Sequence, residues 1–286
     1  MNKKPNNLPS KSHAGFSLVD LMVGMVIALL GIIIIFQVFS VSERIKRTTT
    51  SGGDAQQNGA TAMFSLQNSF LNAGYGLLYC TPTVTNCDNP VPVAFTITPG
   101  GLNSDTITLQ YRQNWDFGSY PASGAATTTI NYPPLPGITT ETITVQTNCN
   151  GNGSVLLQLC SSVRGVLSDG IVLMKAEYGI DTTSSGAVSA WTQTAPALPL
   201  TMLNVLAVRF VLVARSAQPE VTRDPISQKI LPCQTTTAAN APNWIDGVTY
   251  PLSLVGQADL AVGDNWQCYR YKTFENTVTL RDVIWR

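Results

Sequence analysis

Hydrophobic positions along the chain fall into three regimes. From Leu21 to Phe36 no side chain is charged or strongly polar. Extended to Phe16 and Val41, this run predicts a helix of roughly 39 Å at about 1.5 Å per residue, against a bilayer core of about 30 Å. Gly24 and Gly31 lie inside it. Each costs a helix in water about 1 kcal/mol relative to Ala, whereas lipid tolerates such small residues and they let helices approach closely. Asp20 is the anomaly. An acid in a spanning segment costs on the order of 3 kcal/mol at the bilayer centre and less near an end, so Asp20 calls for a partner.

The second regime begins at Ser42, where the sequence turns polar and charged without breakers, and the helix is expected to continue out of the apolar segment. Ser51-Gly52-Gly53-Asp54 predicts a kink or melted turn, with Asp54 able to cap a second helical stretch. Beyond it Ala60, Met63, Phe64, Phe70 and Leu71, interrupted by Gln67, fall at helical spacing and predict one apolar face packed on the rest of the chain. The helix is expected to stop near Ala73-Gly74-Tyr75-Gly76, with Gly74 in the left-handed C-terminal conformation.

After Tyr79 the pattern changes to short β-like runs separated by Pro, Gly, Asn and Thr. Strands are predicted at Val93–Thr98, Thr106–Tyr111, Thr142–Thr147, Val155–Leu159, Val172–Tyr178, Val205–Val213 and Phe274–Leu280. Thr106 to Leu109 and Thr142 to Val145 alternate as half-buried strands do. Val205–Val213 is more continuously apolar, which suits a central strand. Gly118–Gly137 and Pro219–Pro251 read as irregular loops, and no repeat of 20 to 50 residues is present. The chain therefore divides into 1–15, a leader; 16–41, a membrane helix; 42–76, its amphipathic continuation; and 77–286, a β-rich head. The fold class is α+β, a long N-terminal helix packed on antiparallel sheets.

Composition narrows the chemistry. With 44% hydrophobic and 12% charged residues the chain is a folded protein. Lys3, Lys4 and Lys11 are three of its seventeen basic residues, and the leader holds none of the seventeen acids. Without the leader fourteen bases face seventeen acids, a net charge of −3, and no nucleic-acid partner is predicted. His13 is the only histidine and lies in the leader, so the rest of the chain has no Ser-His-Asp or Cys-His catalysis and no histidine zinc site. No catalytic, cofactor or metal residue is assigned and no enzyme activity is expected. Cys80, Cys87, Cys149, Cys160, Cys233 and Cys268 all come after the apolar segment, none in C-x-x-C spacing. An even number in an exported region predicts three disulfides between sequence neighbours: Cys80–Cys87, Cys149–Cys160 and Cys233–Cys268. The alternative is buried free thiols.

The leader is polar up to Gly15 and so lacks the apolar core of a secretory signal. Gly15-Phe16-Ser17-Leu18-Val19-Asp20-Leu21, a basic leader followed by Gly-Phe and one acid at the start of an apolar helix, resembles the N-terminus of type IV pilins and pseudopilins. The resemblance implies cleavage between Gly15 and Phe16 by a prepilin peptidase, methylation of the new Phe16 amine, and an assembly role for Asp20, which would pair with the terminal amine of a neighbouring subunit. The family usually has Glu there, one methylene longer. An uncleaved signal anchor with Asp20 merely favoured by the helix macrodipole is the other reading.

Internal segments resemble the PilW minor pilins: Asp54 to Gly76, Val166 to Asp181, Val208 to Arg215, Tyr269 to Lys272 and Thr279 to Trp285. What this implies is a minor pilin that helps initiate a type IV pilus and sits at its tip. Its partners would be the prepilin peptidase, other minor pilins, the major pilin, a tip adhesin and inner-membrane lipid. It would cross the inner membrane once with a periplasmic head before entering the pilus. A minor pseudopilin of a type II secretion system and a tip binding or DNA-uptake subunit are the alternatives. The positive-inside rule gives only a weak orientation, because Arg44, Lys46 and Arg47 lie just beyond the span.

Other candidate chemistry is thin. Gly151-Asn152-Gly153-Ser154 reads as a turn, not a phosphate loop. Asp169, Asp181, Asp246, Asp259 and Asp264 are loop acids; Asp264-Asn265 near Asp259 offers oxygen ligands for calcium, but without a twelve-residue ligand loop solvated turns are favoured. Trp191, Trp244, Trp266 and Trp285 suit sheet packing better than a sugar- or peptide-binding surface. A basic, aromatic strip that would grip single-stranded nucleic acid is hinted at only by Tyr269 to Lys272.

Overall fold

The structure is a computed structural model that describes residues 17–77, 93–112, 137–152, 154, 156–196, 204–221, 227, 229, 231–237, 239–242 and 266–280. Contacts divide the chain into two compact units, Met1–Thr49 and Thr50–Arg286. One helix, α1 (Leu18–Asn72), contributes to both.

In the first unit the described residues are helical from Leu18 onward, and their large apolar side chains are exposed on every side, from Leu18, Leu21 and Met22 to Phe36, Phe39 and Val41. Helix, not strand, suits this run because each backbone N–H and C=O is satisfied within the segment itself. Among the described residues α1 is the one helix long and apolar enough to cross a membrane.

The second unit is the head half of α1 with two antiparallel sheets. The first sheet runs in chain order, β1 (Phe95–Thr98), β2 (Thr106–Tyr111), β3 (Thr139–Gln146), β4 (Gln158–Ser161) and β5 (Gly165–Asp169). The second contains β6 (Ile171–Ile180), β7 (Ala190–Thr192), β8 (Val205–Arg215) and β9 (Tyr271–Thr279), in the order β7-β6-β8-β9. Alternation works as expected in β2, where Ile107, Leu109 and Tyr111 face the core. Interior β8 is buried on both faces, which suits its largely apolar sequence, interrupted only at Arg209 before it ends at Arg215. Gly170 carries the chain from one sheet to the other with φ 68°, and a Cβ there would meet the Arg215 carbonyl oxygen 2.9 Å away.

The core lies between the head half of α1 and the sheets. Phe70 stacks on Phe210 at 5.4 Å and meets the edge of Phe95 at 5.9 Å; Phe95 in turn packs on Tyr178 at 5.2 Å. The buried Tyr178 hydroxyl accepts the Ile97 N–H at 2.6 Å.

Two helix expectations are corrected. No kink or melted turn occurs at Ser51-Gly52-Gly53-Asp54, where α1 is unbroken. The face toward the sheets is also not the one the large apolar residues predicted. Its buried positions are Ser51, Ala55, Gly59, Ala62, Leu66, Ser69, Phe70 and Ala73, whereas Ala60, Phe64 and Leu71 are exposed and Met63 is half-buried. Small residues win this seat because the strands approach closely. A Cβ on Gly59 would collide with the edge of the Phe274 ring. The helix ends as expected, with Gly74 at φ 81°.

Strand ends shift by a few residues: Val93–Thr98 becomes Phe95–Thr98, Thr142–Thr147 becomes Thr139–Gln146, and Phe274–Leu280 becomes Tyr271–Thr279. Val155–Leu159 moves to Gln158–Ser161, set by pairing of Cys160 with Thr144 and Val166 on either side. Short β7 was not expected; it is held by Trp191 packed directly over Gly179.

Candidate functional site

Asp20 lies in the first turn of α1, and among the described residues it is the only acid in an apolar run that extends to Val41. Backbone N–H groups of a first helical turn have no partners within the helix, and the macrodipole favours an acid there. The Leu21 N–H already donates to the Ser17 carbonyl at 3.3 Å, so helical hydrogen bonding starts immediately before the acid. Gly15 and Phe16, the expected processing pair, lie outside the described residues.

The head contains three polar devices that the sequence did not disclose, two of which reach its half of α1. Glu141, buried on β3, accepts hydrogen bonds from Tyr111 at 3.1 Å and Ser161 at 2.6 Å and pairs with Arg164 at 2.8 Å. Arg164 also donates to Ser69 on α1, tying the helix to the turn between β4 and β5. A second buried acid, Asp105, pairs with Lys175 of β6 at 2.7 Å. Its carboxylate also accepts the N–H groups of Gly100 at 2.8 Å and Ala176 at 3.0 Å, and Lys175 donates to the Gly101 carbonyl at 2.7 Å. So much hydrogen bonding is what makes a buried ion pair tolerable. The signal was present in sequence as a lone lysine within the apolar run of β6.

The third device grips α1 at Ser51. Its hydroxyl donates to Glu220 at 2.8 Å, and Glu220 is held by the guanidinium of Arg270 and by Thr235. Partial burial alone would raise the Glu220 carboxyl, but hydrogen bonds from Arg270 and Ser51 outweigh it and hold the pKa below its ordinary value. The Glu220 N–H donates to the Cys268 carbonyl at 2.7 Å, beside the Cys233–Cys268 disulfide. Cys149–Cys160 is the other disulfide in the described residues; both pair as sequence neighbours, and Cys80 and Cys87 lie outside them.

Most remaining candidates have local work. Asp169 accepts from Gln158 at 2.5 Å. Burial tends to raise the Asp181 carboxyl, yet the N–H groups of Gly186, Thr183 and Ser185 together bring its pKa down to about 2, which makes it the organiser of a turn. Asn152 and Ser154 hydrogen-bond each other in a turn just after a short 3-10 segment at Cys149–Gly151. Trp191 carries the Arg209 guanidinium 4.7 Å from its ring centre, and Trp266 packs against Leu157, Val172, Leu173 and Val213. Asp246, Asp259, Asp264, Trp244 and Trp285 lie outside the described residues. In the hinted basic strip Tyr269 is buried beneath Arg215 and Arg270 is paired with Glu220, which leaves Lys272 as its exposed charge.

Comparison with known proteins bears on the head. Residues 157–282 match the family model for PilW, Type IV Pilus-assembly protein W. From β4 to β9, the chain is PilW-like. The PilW-like region thus includes Arg164, Lys175, Glu220, Arg270 and the whole second sheet, but not α1. Among solved structures, the chain is similar to a type IV-like pilin from Thermus thermophilus, with 11% sequence identity and a TM-score of 0.43 over 80% of this chain and 97% of that one. No curated protein matches.

Proposed function

We propose that the chain is a minor pilin of a type IV pilus, a non-catalytic subunit that enters from the inner membrane, helps to start assembly and resides at the pilus tip. The observation that carries this reading is a single helix with bare apolar sides and Asp20 in its first turn, in a chain whose residues 157–282 match the PilW family model. A helix apolar all round belongs in lipid or among other apolar helices. The head half of α1 adds support. From Ala55 to Leu77 there is no charged residue, and the exposed side of the helix sets Ala60, Phe64 and Leu71 among Gln56, Gln57, Thr61, Asn68 and Asn72. A helix face meant for water alone is charged or polar, and Phe64 and Leu71 are neither. In this role prepilin peptidase cuts between Gly15 and Phe16, and Asp20 pairs with the terminal amine of a neighbouring subunit. The engagement of Arg270 and Tyr269 inside the head disfavours a DNA-uptake surface at that strip.

The test is co-purification from native membranes at equal abundance, with intact-mass analysis of the subunit. Wild type is expected to begin at methylated Phe16 and to recover other minor pilins. Asp20→Asn is expected to insert and be cleaved normally but to recover them poorly, with Asp20→Glu at least matching wild type. Undiminished recovery by Asp20→Asn would remove the acid from assembly, and recovery of secretion-system pseudopilins in place of pilins would shift the assignment to the type II system.

A further inference from the structure

Gly52 and Gly53 sit side by side in the middle of α1, yet nothing around them calls for glycine. Both have ordinary helical backbone, and apart from the adjoining turns of α1 itself no atom of the described residues lies within 4 Å of where a Cβ would stand on either. This differs sharply from Gly59, whose missing Cβ makes room for Phe274. Two adjacent glycines free of packing duty lower the local stability of a helix without a compensating contact. The flanking residues deepen the effect, because Ser51 and Asp54 are both good N-caps and either can start a new helix if the old one opens here. Immediately before the pair lies the Ser51 hydroxyl, fastened to Glu220, which is in turn fastened to Arg270 and to the backbone beside Cys268.

We infer that Gly52-Gly53 is a hinge in α1 and that the Ser51–Glu220–Arg270 contact is the latch that keeps it helical. While the latch is closed, Ser51 is buried and the helix is continuous. With the latch open, residues 50–54 lose helical hydrogen bonds first, Asp54 or Ser51 caps the head portion, and the small-residue seat from Ala55 to Ala73 stays on the sheets. The Cys233–Cys268 disulfide lies beside the latch, since the Glu220 N–H donates to the Cys268 carbonyl. This inference concerns the helix itself and stands whether or not the chain is a pilin.

The experiment is hydrogen–deuterium exchange with mass spectrometry on the full-length protein in detergent micelles. Glu220→Ala is expected to speed exchange of amides 50–56 about tenfold, the effect of losing one charge-assisted hydrogen bond, with peptides from 62–72, β6 and β8 unchanged. Gly52→Ala with Gly53→Ala is expected to slow the same amides about 30-fold, in the wild type and in the Glu220→Ala background alike. The inference is overturned if Glu220→Ala leaves amides 50–56 at the wild-type rate, if acceleration spreads equally over α1 and the sheets, or if the paired alanines change nothing. Should Glu220→Ala fail to fold, the paired alanines in the wild type decide the question alone.

Discussion

The two halves of α1 solve opposite problems with the same backbone. Before Thr49 the large apolar residues point in every direction and stay exposed; after Thr50 the buried stripe is built of Ser51, Ala55, Gly59, Ala62 and Ser69, with Leu66 and Phe70 as its large members. In the first half hydrophobicity marks what leaves water for another environment. In the second, closeness of approach matters more than hydrophobicity, and a large residue is buried only where the sheets leave room. Phe64 and Phe70 show the difference within two turns of helix, at 68% and 1% exposure.

The sharpest way to break this contrast is to truncate both phenylalanines. Phe70→Ala empties a site bounded by Phe95 and Phe210 and is expected to cost the head about 3–5 kcal/mol in denaturant unfolding. Phe64→Ala should change stability by no more than about 0.5 kcal/mol; equal losses from the two would mean that the seat is misplaced. A smaller effect, about 1–3 kcal/mol, is expected from Gly59→Leu, which drives a side chain into Phe274, while Gly31→Leu in the exposed half should leave head unfolding unchanged. The smallest effect is one of pH. The Glu220 carboxyl is held below its ordinary value of 4.5 in the fold, so its contribution is complete above that pH and fades as pH falls through its folded value. Melting curves of wild type and Glu220→Ala should therefore converge on acidification below about pH 4.5, and a difference that stays constant down to pH 2 would show that the carboxylate charge is not what counts.

Where one kind of pattern dominated, the fold could be read from the chain. β2 was legible at both ends because Ile107, Leu109 and Tyr111 alternate with polar residues against a single core face. β8 was recognisable as interior because its burial on both faces calls for a more continuously apolar run, which Arg209 alone interrupts between Val205 and Val213. The helix face was misread because periodicity weights Phe64 and Leu71 over Ala62 and Gly59, while the close approach of Phe274 is a tertiary fact. Edge strand β5 and three-residue β7 carry too little burial to announce themselves, although Val166 to Asp181 stood out by its PilW resemblance. As for the site, Asp20 was conspicuous as a charge among apolar neighbours. Ser51, Glu220 and Arg270 were not, since a contact spanning 169 positions leaves no local trace.

The last strand has a consequence for the order in which the molecule is completed. Gln67 of α1 meets Asn276 of β9 across 209 positions, and Gly59 receives Phe274 from that same strand. A ribosome delivers the chain from its N-terminus, so α1 emerges before every strand that seats it and must wait for β9 to find its complete seat. Until β9 arrives, β8 has an open flank and the groove facing Gly59 is unfilled. Closing so long a loop is entropically costly and slow, and chains that stop short of β9 would display both features. Docking of the helix thus reports that the chain has been made at least as far as β9.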